Sequence, residues 1–294
     1  AGLLDPKAKG MAPEVQMFGW NFNVQSNNLT VQQERLKAAS EDGIELTSNS
    51  YGVNLTSGFN VGRYNAGDRG DDNATILFPY LLNVYSNGNA QAAYPAGGGF
   101  NTSTKNSKNA LHVAANNPDD LISSYSSFGP TIDGRLVPQI AAVGSGVYSL
   151  DYSNSYQVMS GTSMATPGTT GTLVLLYERY KNIYGEKPLA SLMKALVTNT
   201  AKDAGNPGPD YKYGFGNLNG LRAVKVLDNK MFYTAEVANQ AIHEKDIVVP
   251  AGLVTLKVLL AYSDIEGTAG ARSVQINDLD IKIVKDGVTT LPWV

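Results

Sequence analysis

The chain has 294 residues, enough for one large domain or for a medium domain plus part of a second, and 43% of them are hydrophobic, so a sizeable core is expected. A net charge of only -3 supplies no basic field, which removes nucleic acid and anionic membranes from the favoured partners. With no cysteine there are no disulfides, zinc thiolates or cysteine nucleophiles, and His112 and His243 are the only histidines.

The opening Ala1-Gly2-Leu3-Leu4-Asp5-Pro6-Lys7 has neither the basic start nor the apolar stretch of a signal peptide, and reads as a mature, processed or truncated start. Apolar runs such as 173–177 fall far short of the roughly 20 residues that cross a bilayer, so no membrane partner is expected. Residues 15–20, after the turn Gly10-Met11-Ala12-Pro13, read as a buried strand. Thr30 with Gln33 three residues on marks a helix start, and Gly43 marks its stop. Residues 44–49, 82–85 and 110–115 read as strands, and strands separated by helices or long connections favour a parallel sheet covered by helices. The Gly-, Asn- and Ser-rich segments 51–73 and 86–108 read as long loops; in open α/β sheets such segments build the site. Residues 145–157 read as a hairpin turning at Ser153-Asn154-Ser155. Helices are expected from Gly161 and from Pro188, a residue suited to a first helical turn. Beyond about Asp228 the pattern changes to strands at 247–249, 254–262 and 280–284, with Asp286-Gly287 as a hairpin turn. The expected division is therefore 1–228 and 229–294, the second part an all-β domain with too few strands to close a sandwich.

The segment Ser160-Gly161-Thr162-Ser163-Met164-Ala165-Thr166-Pro167 sets a serine among small residues at the start of a long helix. The unpaired N–H groups and positive dipole end of a first helical turn suit a developing oxyanion. The ordinary alternative is a serine N-cap, which eight residues in this order argue against.

Gly161-Thr162-Ser163-Met164-Ala165-Thr166-Pro167 resembles the serine motif of the subtilases, the subtilisin-like serine proteases, and further segments agree in the same order. Gly10-Met11-Ala12-Pro13 is similar to the Gly-x-Ala-Pro after that family's histidine helix. Ser48-Asn49-Ser50-Tyr51-Gly52 resembles the strand end that walls the substrate cleft, and Val84-Tyr85-Ser86-Asn87-Gly88-Asn89 the strand that ends in the oxyanion-hole asparagine. Ser124 to Pro130 and Pro209 to Gly216 match two more family segments. The resemblance implies an α/β fold with a subtilisin-like parallel sheet and helices on both faces, its N-terminal part missing, followed by an incomplete β-sandwich or jelly-roll domain. It also implies a secreted or cell-surface serine endopeptidase acting on protein or peptide substrates, and needing no cofactor. Ser163 would be the nucleophile, Asn89 and the Ser163 N–H the oxyanion hole, and Ser50, Tyr51 and Gly52 the substrate wall. By itself Asn89 reads as a turn residue. Residues 256–264 and 276–280 resemble the C-terminal β-barrel of some secreted subtilases. There Asn277, Asp278 and Asp280 offer oxygens to a structural calcium or equally cap turns, and no metal ligands are assigned.

Subtilase chemistry also needs an Asp and a His, which the family supplies from an Asp-x-Gly strand end and a His-Gly-Thr-His helix. Neither motif precedes Gly10, where the family places both, and His-Gly-Thr-His occurs nowhere in these 294 residues. His112 falls in a strand where alternation sends it away from the site, and His243 in the β segment, so neither is expected to act as the base. The chain alone is expected to be inactive, with an N-terminal fragment of the same protease as the partner that supplies the pair. Departures such as Gln139 for the usual Asp, Val143 for the usual Pro and Phe128 for the usual Arg are expected to alter packing and not chemistry. The rival reading is a non-catalytic relative that binds protein or polysaccharide. A sedolisin-type acid peptidase is a third, set aside because its oxyanion residue is an aspartate where this chain has Asn89.

Overall fold

The structure is a computed structural model that describes residues 5–20, 29–52, 62–91, 103–152 and 155–292. Its centre is a four-stranded, all-parallel sheet in the order β1 (Leu46–Asn49), β2 (Leu82–Ser86), β3 (Leu111–Asn116), β4 (Ile140–Val143). The register sets Leu46 beside Leu82, Val84 beside Leu111, and Val113 beside Ile140. β2 and β3 are buried along their whole length, as expected of strands covered on both faces. Alternation divides their side chains. Leu82, Val84, Leu111, Val113, Ile140 and Ala142 pack on the helices α3 (Thr162–Tyr184), α4 (Ala190–Asn199) and α5 (Gly220–Asp228). Tyr85 and His112 point to the opposite face, toward α1 (Val31–Glu41) and α2 (Ala66–Leu77). The expected parallel sheet with helices on both faces is present.

Local chemistry explains the helix ends. Thr30 and Gln33 form a reciprocal capping box at the start of α1, and Gly43, at φ 68, follows its end. Asn65 and Asp68 cap α2 in the same way, although residues 51–73 read as a loop in the sequence. The helix is disguised by its composition: two glycines and three aspartates lower its intrinsic propensity, and Asp68, Asp71 and Asp72 are all buried. Each buried aspartate holds a partner that stabilises it there. Asp68 accepts from the N–H of Asn65 and Asn106, Asp71 pairs with Arg35, and Asp72 accepts from Tyr64 Oη and the Asn109 N–H.

Residues 15–20 are not a buried strand: they are exposed and unpaired by any ladder. The preceding turn does dock, because the glycine at 171 in α3 leaves room for Met11, whose Cβ would stand 2.9 Å from a Cβ there. Residues 153–154 of the expected hairpin turn, and 53–61 and 92–102 of the two long loops, lie outside the described residues. The hairpin itself forms from β5 (Val147–Leu150) and β6 (Tyr156–Met159).

In the described part of 229–292 the strands expected at 247–249 and 254–262 are absent, because no neighbouring strand supplies the ladder that would hold them. One hairpin forms, β7 (Ile283–Lys285) with β8 (Val288–Thr290), and its turn residues Asp286 and Gly287 take φ 49 and 78 as its sequence predicts. The sandwich or jelly roll is thus not seen beyond this hairpin among the described residues. Part of the segment is anchored on the sheet domain. Lys108 pairs with Asp264 at a buried contact, Asn109 exchanges two hydrogen bonds with the Asp264 backbone, and Val274 is fully buried.

Candidate active site around Ser163

β4 ends at Val143, and the chain reaches α3 through the β5–β6 hairpin. The turn into α3 is fixed by two hydrogen bonds: the Gly161 N–H donates to the Gly144 carbonyl at 2.8 Å, and the Gly146 N–H to Ser160 Oγ at 2.9 Å. Ser163 is then the second residue of α3, in the first turn, where its N–H has no acceptor within the helix. Four threonines line the next turns. Thr166, Thr169, Thr170 and Thr172 each donate Oγ1–H to the carbonyl four residues back, at 2.8–3.0 Å, so the helix buries hydroxyls ahead of its apolar stripe of Leu173, Leu176, Tyr177 and Tyr180.

Asn89 follows β2 and faces the same turn. Its Oδ1 accepts from both Thr162 N and Thr162 Oγ1 at 2.8 Å, while the Gly88 N–H donates to Thr162 Oγ1 at 3.2 Å. With the oxygen so held, the amide can turn only its Nδ2 toward Ser163. Gly161 keeps the intervening space clear: a Cβ at that position would lie 3.3 Å from Asn89 Nδ2 and 3.6 Å from Ser163 N. An oxyanion placed near that point would have two neutral N–H groups within reach.

Ser50 ends the other wall. Its Oγ donates to the Ser163 carbonyl at 2.9 Å, and Ser163 Oγ reaches the Ser50 carbonyl at 3.4 Å. The first bond is available because Pro167, four residues after Ser163, has no N–H to claim that carbonyl. Gly52 packs so closely on Thr104 that a Cβ would fall 2.0 Å from its Oγ1, which locks the wall against the segment entering β3. On the far side of Ser163 a cavity of about 140 Å³ is lined by Val147, Leu150, Met159, Met164 and Pro167. The structure thus brings together Ser163, Asn89 and Ser50, and sets Tyr51 and Gly52 beside a second cavity of about 280 Å³.

Neither histidine joins them. His112 is fully buried on the α1 and α2 face, and its Nε2–H donates to the Ser107 carbonyl at 3.0 Å. Burial pushes its pKa down to about 3, so it stays neutral, with Nδ1 unpartnered. His243 stacks on Tyr233 and hydrogen-bonds its hydroxyl.

A polar cluster under the second cavity is absent from the sequence reading. Arg35 is buried in α1, pairs with Asp71, and donates to Tyr85 Oη at 2.5 Å and Tyr51 Oη at 3.3 Å. Burial alone lowers its pKa, but Tyr85 and Asp71 outweigh that and hold the guanidinium above its ordinary value. Its sequence signal is slight: an arginine on the face of α1 that also carries Ala38 inward. Two of the family departures have structural reasons. Gln139 accepts from the His112 N–H at 2.7 Å and donates to the Leu136 carbonyl, and Phe128 lies under Lys212 Nζ, 5.8 Å from the ring centre. In the C-terminal segment the Asn277 side chain donates to Asp264, and Asp278 accepts from Gln275 Nε2 at 2.8 Å.

The chain is 33% identical over 117 residues to thermitase of Thermoactinomyces vulgaris, a match covering 40% of this chain and 37% of thermitase. It is 34% identical over 95 residues to the PII-type proteinase of Lactococcus lactis subsp. cremoris and 41% identical over 63 residues to the C5a peptidase of Streptococcus pyogenes. Those two matches cover 29% and 21% of this chain and 5% of each relative, so the chain corresponds to a small part of such proteins. In fold it is similar to a mutant of the protease domain of PatA, with a TM-score of 0.50 and 21% identity over 70% of this chain and 68% of that one. The subtilase family model matches residues 1–216, and the chain belongs to the subtilase family.

Proposed function

We propose that this chain carries the nucleophile and oxyanion half of a serine endopeptidase site. Ser163 Oγ attacks the carbonyl carbon of a peptide bond. The new C–O bond forms as the hydroxyl proton passes to a histidine, which returns it to the leaving amine when the C–N bond breaks. Water then hydrolyses the acyl-enzyme by the same route. Asn89 Nδ2 and the Ser163 N–H hold the oxyanion, and Ser50, Tyr51 and Gly52 wall the peptide. The observation that carries this reading is the anchoring of Asn89 Oδ1 by Thr162, which commits Nδ2 to the space beside Ser163. A residue acting only as an N-cap has no use for that arrangement.

The histidine and aspartate come from a separate N-terminal fragment of the same protease, and the 294-residue chain by itself is inactive. One structural feature supports such a partner: among the described residues β1 pairs with β2 on one side and with nothing on the other. The backbone groups of that edge are available to a further strand. The relatives named proteinase and peptidase support protein or peptide substrates; a secreted or cell-surface location belongs to the same reading through the family resemblance. No described helix is long and apolar enough to cross a membrane. Residues 1–228 form the catalytic part in this reading, and 229–294 the start of a β domain. The alternative, a non-catalytic module that binds protein or polysaccharide, is favoured by one observation: no histidine faces Ser163 among the described residues.

Peptide hydrolysis separates the two. A polypeptide bearing the Asp-x-Gly and His-Gly-Thr-His segments is added to this chain, and cleavage of an unstructured protein is followed. Turnover that disappears with Ser163→Ala is expected; intact substrate despite formation of a stable complex rules the endopeptidase out.

A further inference from the structure

We propose that the cavity beside Tyr51 and Gly52 receives an acidic side chain of the bound peptide, and that Lys105 is the residue that selects it. The proposal rests on the endopeptidase reading above and adds to it the class of substrate.

Position comes first. The Ser50 carbonyl lies 3.4 Å from Ser163 Oγ, and the next two residues, Tyr51 and Gly52, line the cavity. At about 3.3–3.6 Å per extended residue, a peptide running beside residues 50–52 would reach the cavity two or three residues from the bond that Ser163 would attack. Its volume, about 280 Å³, is ample for one side chain.

Charge comes second. Two cations, Arg35 and Lys105, and one anion, Asp71, line the cavity. Arg35 is committed to Asp71, Tyr85 and Tyr51. Lys105 is not committed in the same way: its Nζ stands 3.8 Å from Asp71 Oδ2, beyond hydrogen-bond length, and 4.9 Å from the centre of the Tyr85 ring. It is nevertheless mostly buried, so its charge acts in a medium of low dielectric. Asp71 Oδ2 is itself buried without a hydrogen bond. The next carboxylate, Asp68, does not line the cavity, and both its oxygens accept from backbone N–H groups of Asn65 and Asn106, although the Lys105 charge also acts on it. The N-terminus of α1 opens on the same space through Thr30, Val31 and Gln32, adding the positive end of an 11-residue helix.

The lining therefore carries one net positive charge, on an ammonium with donors to spare. An entering carboxylate accepts from Lys105, which then bridges it to Asp71 Oδ2. A lysine or arginine would meet Lys105 and Arg35 instead, and an apolar side chain would leave Lys105 desolvated without an acceptor.

The test uses the intact chain and needs no turnover. Hexapeptides that differ only in carrying Glu, Gln or Lys at one position, scanned along the peptide, are titrated against the wild type, Lys105→Gln and Lys105→Glu. At one position Glu should bind about ten- to a hundredfold tighter than Gln, and Lys more weakly than either, the ordinary range for a hydrogen bond to a charged group. The preference should shrink with added salt, vanish in Lys105→Gln and reverse toward Lys in Lys105→Glu. Binding with no dependence on charge, or a Glu preference that survives Lys105→Gln, overturns the inference and leaves the endopeptidase reading standing. If no peptide of any charge binds, the inference and the substrate wall of that reading fail together.

Discussion

Ser50 and Ser163 hold one another: Ser50 Oγ donates to the Ser163 carbonyl at 2.9 Å, and Ser163 Oγ lies 3.4 Å from the Ser50 carbonyl. The pair joins the end of β1 to the first turn of α3, elements 113 residues apart in the chain. Pro167 makes the pairing selective, since an N–H at 167 would compete for the Ser163 carbonyl. Ser50→Ala should cost about 1 kcal/mol, the usual net worth of a hydrogen bond. In a Pro167→Ala background the cost should fall by about 0.5–1 kcal/mol, because the helix then satisfies that carbonyl itself. Urea unfolding of the four proteins of this cycle measures the coupling; additive effects would show that proline and serine are not linked.

Gly161 is extended, at φ 161, so alanine fits the backbone there and only its Cβ matters. That Cβ would occupy the space 3.3 Å from Asn89 Nδ2 and 3.6 Å from Ser163 N. Gly161→Ala should leave the melting temperature within a few degrees of wild type while lowering turnover of the completed protease by about 10²–10³. That is the cost known for losing one oxyanion donor in subtilisin, a member of the same family. A variant that melts normally and keeps its turnover would remove this space from the mechanism.

His112 makes a signed contribution to acid stability. Unfolded, it titrates near its ordinary value of 6.5; folded, burial holds it at about 3. Between those values the unfolded chain binds a proton that the folded chain does not, so stability is lost as the pH falls. His112→Phe removes this loss while keeping the ring against Tyr85. Asp68 and Asp72, both pushed up to about 6 by burial, act in the opposite sense over part of the same range, and are common to both proteins. The difference in unfolding free energy, wild type minus His112→Phe, should therefore drop by about 1.4 kcal/mol per pH unit below 6.5, or about 2 kcal/mol at pH 5. A difference that stays constant from pH 7 to 5 would mean that His112 can be protonated in the fold.

The Lys108–Asp264 pair anchors the C-terminal segment. Both side chains are about 95% buried, and Asp264 also accepts from the N–H groups of Ile276 and Asn277. Asp264→Ala leaves the buried Lys108 ammonium with the Ile265 and Val274 carbonyls but no counter-charge, which should cost about 3 kcal/mol. Hydrogen exchange at Ile276 and Asn277 should accelerate toward the unfolded rate while β2 and β3 remain protected. Unchanged exchange there would mean that the segment is held by other contacts.

Much of this arrangement is legible in the sequence, for identifiable reasons. β2 and β3 carry apolar residues at alternate positions, Leu82 and Val84 in one and Leu111, Val113 and Ala115 in the other, and that pattern marks them as strands; the capping box at Thr30 and Gln33 marks α1 as directly. The turn into α3 is written in Ser160 to Pro167, where small residues, glycine and proline each have a local function. α2 is not legible, because its three buried aspartates look solvent-exposed until Arg35, Tyr64 and the Asn106 and Asn109 N–H groups are brought to them across the fold. The same long-range pairing hides the cavity at Lys105. The strands expected at 254–262 mislead in the other direction: alternation records that a segment could pair, and says nothing of whether a neighbour is present to pair with it.

The central claim is that Ser163 is a nucleophile set in a formed oxyanion site and completed by a histidine and aspartate from an N-terminal fragment. The most direct measurement is mass-spectrometric mapping of fluorophosphonate adducts on this chain, alone and with that fragment restored. The expected result is an adduct on Ser163 that forms rapidly in the completed protein, slowly or not at all in the isolated chain, and never in Ser163→Ala. A completed complex in which Ser163 remains unmodified would contradict the account.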